Sequence, residues 1–190
     1  MYTNNRHKLE IENAQLMFRN FSGRERTAII NGRNQVVNDE GNRNFVVILD
    51  PINSHIIFDN QEVTDPDFGQ ELANLGFNVS VKPGKEEGDP VQYRLPVSIG
   101  YRAIPQQNTE GGLTGPQIWM IANGHKTLLN PDTIGNLDFA DIENAKLVIN
   151  NGKPYPKRDG GDGLRAWCNE GLFYVNRSRF AEELDQFEAD

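Results

Sequence analysis

Apolar and polar residues alternate with a period of two over much of the chain. The clearest run is "VQYRLPVSIGYR", residues 91–102. Val91, Tyr93, Leu95, Val97, Ile99 and Tyr101 fall on one face, and Gln92, Arg94, Pro96, Ser98, Gly100 and Arg102 on the other. Successive strand side chains point to opposite faces, so this run predicts a half-buried strand. Pro96 has no backbone donor for a ladder and predicts an edge or a bulge. "FNVSVK" alternates as well, with Phe77, Val79 and Val81 inward. "NFVVILD" is a continuous apolar run, as expected of a strand buried on both faces. "GPQIWMIANG", "AKLVINNG", "LRAWCN" and "LFYVN" read as further strands, and Asn-Gly pairs at Asn31, Asn123 and Asn151 signal hairpin turns.

Helical periodicity is scarce. "TDPDFGQELANLG" offers Thr64 with Asp67 as a capping box, Pro66 in the first turn, an apolar stripe of Phe68, Leu72 and Leu75, and Gly76 as a stop. "SRFAEELDQF" repeats that logic from Ser178, and "LDFADI" predicts a turn or two of helix. The stretches 22–42 and 103–116 read as long open loops. The expected fold is mainly β: a barrel or sandwich of about eight short strands with two or three short helices. The division expected is one β-rich domain over 1–177 and an acidic C-terminal helix or tail over 178–190.

Composition narrows the function classes. No apolar run approaches the length of a membrane span, and the start lacks the apolar stretch of a signal peptide, so a soluble, cytoplasmic protein is expected. A single cysteine, Cys168, excludes an internal disulfide framework and reads as a small strand residue. The net charge is −8, but it comes in blocks. Residues 44–81 carry six acids and no Lys or Arg, whereas 146–177 carry six Lys and Arg against three acids. That pattern argues against a uniform polycation and allows a basic groove on an acidic body.

Enzyme signatures are missing. His7, His55 and His125 lie far apart, without metal-ligand spacing, and no nucleophile elbow, phosphate loop or dinucleotide fingerprint occurs. "RDGGDG" at 158–163 lacks the spacing of a calcium loop. No enzyme activity, metal or cofactor is therefore expected. What recurs is a cation beside an aromatic ring: Arg19 with Phe21 and Arg165 with Trp167, two apart and so on one strand face, and Tyr155 near Lys157 and Arg158. Arg94 and Arg102 follow tyrosines on the polar face of their strand. Single-stranded nucleic acid suits such a pattern, because rings stack bases and cations follow phosphates. For each pair, core packing or a solvated charge is an equally good account. The tail "AEELDQFEAD" ends the chain in acids around Phe187 and reads either as a solvated helix or as a docking tip.

"IENAQLMFRNFSG", "NRNFVVILD", "ELANLGFNVSVKPGKEEGD", "YRLPVSIGYR" and "LDFADIENAKLVIN" together resemble, in that order, the blocks of phage-encoded single-stranded DNA-binding proteins. The resemblance covers about two thirds of the chain. It implies an OB-like β-barrel with long loops and an acidic tail, coating and protecting single-stranded DNA during phage replication or recombination. Carried over by position, it implies DNA contacts at Arg19, Asn20 and Phe21, at Arg43 and Phe45, and at Lys82 and Lys85. The segments 24–42 and 50–66 are longer than the corresponding family turns, and the tip lacks the family's Phe-terminated acidic end. Expected partners are single-stranded DNA and, through the tail, replication or recombination proteins; a homo-oligomer is compatible. The alternative is a β-rich phage structural or protein-interaction module that ignores DNA.

One echo remains. "IENAQLMFRN" (11–20) and "IENAKLVINN" (142–151) match at six of ten positions, but the similarity stops at their flanks. This is not a duplication. Both stretches run through a Glu-Asn kink into a strand and exit into a basic loop. The expectation is that the two loops bring Arg19, Phe21, Arg24, Tyr155, Lys157 and Arg158 to one site. Loops at opposite ends of the fold would reduce the echo to packing.

Overall fold

The computed structural model describes residues 6–101 and 115–176. Arg102, most of the 103–116 loop and the expected tail helix fall outside them. The first strands are β1 (Lys8–Glu12), β2 (Leu16–Asn20), β3 (Arg26–Ile30), β4 (Arg33–Asn38), β5 (Arg43–Ile48), β6 (His55–Phe58) and β7 (Gln61–Glu62). Helix α1 (Phe68–Leu75) precedes β8 (Ser80–Lys82), β9 (Gln92–Ile99), β10 (Gln117–Ala122) and β11 (His125–Leu128). A 3-10 helix, Ile134–Asp138, leads into β12 (Asp141–Asn151), β13 (Tyr155–Pro156), β14 (Asp162–Gly163) and β15 (Ala166–Asn176).

Eleven strands form one sheet along the path β2-β5-β9-β15-β12-β1-β6-β7, with β8 added to β9 and the β10–β11 hairpin added to β15. β3–β4 and β13–β14 are separate two-stranded ribbons. The mainly β expectation holds, but the closed barrel is corrected to an open sheet. Among the described residues β2 pairs only with β5 and β7 only with β6. β7 is two residues long and β2 is interrupted by a bulge, so neither end offers a ladder long enough to close. Inward residues of β1, β5, β6, β9, β12 and β15 meet in one apolar cluster. At its centre Phe21 stacks on Phe45 at 5.3 Å and meets Phe173 edge-on at 5.4 Å. No helix among the described residues is long and apolar enough to cross a membrane.

β9 shows how the pattern became structure. Tyr93, Leu95, Val97 and Ile99 are buried, as alternation predicts. The Tyr93 carbonyl accepts a bond from Leu49 N at 2.9 Å, so odd positions bond toward β5 and even positions face the opposite edge. On that edge β8 pairs as far as Arg94 and β15 begins at Val97. Pro96 occupies the gap between them, where no donor is needed. A proline therefore sits inside the sheet without being at its edge.

α1 ends as expected at Gly76, whose φ of 114° favours glycine. Its start differs. The N-cap residue is Asp67, without a side-chain cap bond, and no capping box forms. Asp67 Oδ1 instead accepts the Tyr93 hydroxyl at 3.0 Å. The turn expected over "LDFADI" lies earlier, at 134–138, and buries Ile134 and Leu137. Asn31-Gly32 and Asn123-Gly124 have positive φ at both residues, as two-residue hairpin turns require. Asn151 instead ends β12, buried, and makes no hairpin.

The two "IENA" stretches lie side by side. β1 pairs antiparallel with β12, Ile11 opposite Leu147, and Ala14 N donates to Ala145 O at 2.9 Å. Both kink at Glu-Asn: Asn13 has a φ of 55°, and the β12 register slips between Ile142 and Asn144.

Candidate nucleic-acid interface

Trp167 is the hub of the exposed sheet surface. Ala166 and Cys168 on either side of it point into the core, which turns the indole outward, opposite Ser98 of β9 and Asn150 of β12. Gly100 and Gly152 flank the ring; a Cβ on either would come within 2.9 Å of it. The two glycines are what let the indole lie against the sheet. Three shallow hollows of about 430, 480 and 490 Å³ share Trp167 as a wall. The first also holds Arg43, Tyr101, Pro131 and Arg165; the third holds Arg6 and Asn150. Together they form a trough across the start of β15.

Arg165 completes the hub. Its guanidinium lies 4.4 Å from the Trp167 ring centroid, and its Nε donates to Ser98 Oγ at 3.0 Å. The bond fixes a plane that already carries a cation–π contact. The 153–163 segment leaves from this rim, because Gly152 N donates to Arg165 O at 3.1 Å. The 22–42 segment leaves from the same rim through Gly41 and Asn42, which line the first hollow. The two basic loops thus start at one trough and not at opposite ends.

The remaining candidates separate by burial. Phe21 and Phe45 are corrected to core residues: each is fully buried, with no ring face open to a base. Arg19 is a clamp, donating to Leu137 O at 2.9 Å and Ala140 O at 2.7 Å across the 3-10 helix. Arg43 donates to the Phe21, Ser22 and Pro131 carbonyls and sits 5.7 Å over the Tyr101 ring. Asn20 pairs with Asn44 across β2 and β5, so the two "RNF" strings form one joint that stacks Phe21 on Phe45. Burial pushes the Tyr101 hydroxyl up to about 12. Lys82 and Lys85 are exposed on and after edge strand β8, away from the trough lining. Tyr155 is partly exposed and packs over Gly163, with exposed Arg158 at the ribbon tip and Lys157 half-buried.

Several contacts were missed by sequence spacing. Arg94 lies 5.7 Å over Phe18, not beside a tyrosine. Phe18 was expected inward, but the β2 register breaks between Met17 and Asn20, and Phe18 takes a φ of 50° and is 58% exposed. Arg24 lies 5.6 Å over Phe139, which is 82% exposed. Lys126 lies 4.3 Å over Trp119 across the Asn123-Gly124 turn, a pairing that the turn signal could have disclosed. Ile118 is fully buried, so Trp119 faces outward on the same sheet surface as Trp167. Three ring–cation pairs, Phe18–Arg94, Trp167–Arg165 and Trp119–Lys126, therefore lie on the outer face of β2-β5-β9-β15-β10.

Nothing in this surface resembles a reaction centre. Cys168 is buried, and burial pushes its thiol up to about 12, away from the reactive thiolate. Among the described residues no group of three His, Cys, Asp or Glu side chains is placed to hold a metal ion.

Comparison with known proteins follows the same line. No curated protein matches the chain. A family model described as "Putative phage ssDNA-binding domain" matches residues 2–188, nearly the whole length. The chain belongs to this phage single-stranded DNA-binding family.

Proposed function

We propose that the chain holds single-stranded DNA across the outer face of its sheet, without sequence preference, and protects it during phage DNA replication or recombination. The observation that carries this reading is the Trp167–Arg165 platform at the meeting point of three hollows. A base stacks on this platform, and Arg165 and Arg6 meet phosphate. Phe18–Arg94 and Trp119–Lys126 extend the track to either side. Arg43 holds the rim in shape and adds its charge. Stacking on rings tolerates any base, which suits a coat protein.

An anisotropy titration with oligo-dT at two salt concentrations tests it. The expected outcome is binding that weakens with salt, with duplex bound less well. Trp167→Ala removes a stacked base worth roughly 1–3 kcal/mol, so affinity drops about 5- to 150-fold. Full affinity in that variant, or no single-strand binding by the wild type at low salt, overturns the reading.

A further inference from the structure

The β3–β4 ribbon takes no part in the proposed DNA track. Its two strands pair only with each other, so both outer edges carry open backbone donors and acceptors among the described residues. Ile29 is 75% exposed and Val36 52%, with Ile30 and Val37 exposed beside them. Thr27, Ile29, Asn34 and Val36 share one face, which carries no charge. Isolated exposed aliphatics are ordinary, but four on one short ribbon mark a docking surface. They are poor partners for bases, which stack on rings, and no aromatic residue lies between Phe21 and Phe45. The ribbon is also one-sided in charge: Arg26 and Arg33, with no acid from 26 to 38.

A complementary surface lies at the far end of the sheet. The ribbon connects β2 to β5 at one end of the strand path, and β7 is the free strand at the other. No Lys or Arg occurs from 44 to 81, and Asp59, Glu62, Asp65 and Asp67 cluster in sequence around β7. Asp59 is held by His7 and the Lys8 backbone, and Asp67 by the Tyr93 hydroxyl. Glu62 and Asp65 are exposed, Glu62 meeting only the exposed His55 ring at 3.4 Å among its ion pairs. The nearby cations on β1 and β12, Lys8 and Lys146, are each bound to a carboxylate, of Glu10 and Glu12.

We infer that the β3–β4 ribbon of one copy docks on the β7 edge of a second copy, with Arg26 and Arg33 facing Glu62 and Asp65 and the ribbon aliphatics covered. The two surfaces differ, so the contact is heterologous and adds copies head to tail in an open series. On a single strand, and here the inference rests on the proposed DNA track, such a series coats cooperatively.

The test is sedimentation velocity of the DNA-free full chain over a concentration series at low salt, which makes its outcome independent of DNA binding. The wild type is expected to sediment progressively faster than a monomer. R26E/R33E and E62R/D65R are each expected to stay monomeric, and the quadruple charge swap to recover association. The charge-neutral variant I29S/V36S is expected to lose association while keeping its affinity for an oligonucleotide that seats one copy. A wild type that stays monomeric throughout overturns the inference and leaves the ribbon to a segment of its own chain. A charge swap that restores nothing also overturns it. Loss of short-oligonucleotide affinity in I29S/V36S places the ribbon on DNA and overturns it too.

Discussion

Phe18 and Phe21 stand three residues apart and do opposite things. Phe21 is sealed between Phe45 and Phe173, while Phe18, turned out by a left-handed backbone, lies under Arg94. Truncating each should separate stability from binding. Phe21→Ala opens a cavity in a fully buried ring cluster and is expected to cost about 3–5 kcal/mol in urea denaturation. Phe18→Ala removes an exposed ring, so stability should stay within about 0.5 kcal/mol of wild type while oligo-dT affinity falls. The opposite assignment of the two losses would remove Phe18 from the track. Arg19 and Arg43 obey the same division. Their guanidinium groups are occupied by backbone carbonyls, so "RNF" is a folding joint before it is anything else.

At the level of elements, the legible features were those written in adjacent residues. Alternation disclosed β9, Gly76 the end of α1, and Asn31-Gly32 and Asn123-Gly124 their turns. The ribbon was readable too, since "AIINGRNQVV" sets a hairpin turn between apolar pairs, yet it was taken as open loop. The β2 bulge was not readable, because a left-handed phenylalanine is chosen by tertiary packing against local preference. The site divides likewise. Arg165 and Trp167 were visible at two-residue spacing, whereas Phe18–Arg94 and Arg24–Phe139 join residues far apart in the chain. Two glycines test how context sets the cost of an element's end. Gly32 has a φ of 75° and open space around it, so Gly32→Ala should cost only the left-handed strain, about 1 kcal/mol. Gly76 has a φ of 114°, and a Cβ there would sit 2.7 Å from the Asp162 carbonyl, where Leu164 N also bonds back to Gly76 O. Gly76→Ala is therefore expected to lose more than Gly32→Ala in the same urea titration, because backbone as well as torsion must yield. Equal losses would mean that the α1–Leu164 junction is soft.

The whole molecule carries a net charge of −8 and still belongs to a family that binds a polyanion. Long-range repulsion must then be overcome locally, by cations gathered on one face and by uncharged stacking. These two contributions respond differently to salt. Each phosphate neutralised on a single strand contributes about 0.7 to the slope of log K against log salt, whereas stacking releases no counterions. Arg165→Ala should therefore flatten the slope by about 0.7 while weakening dT and mixed-sequence oligonucleotides equally. Trp167→Ala should lower affinity at every salt concentration and leave the slope as it was. Arg19→Ala supplies the control: its charge is held by the Leu137 and Ala140 carbonyls, so it should reduce urea stability without moving the slope. Anisotropy titrations across four salt concentrations read all three. Parallel lines for Arg165→Ala and wild type would show that the guanidinium serves the indole and not the phosphate. A flattened line for Trp167→Ala would show that the indole holds the cation in place, and the trough would then work as one coupled unit.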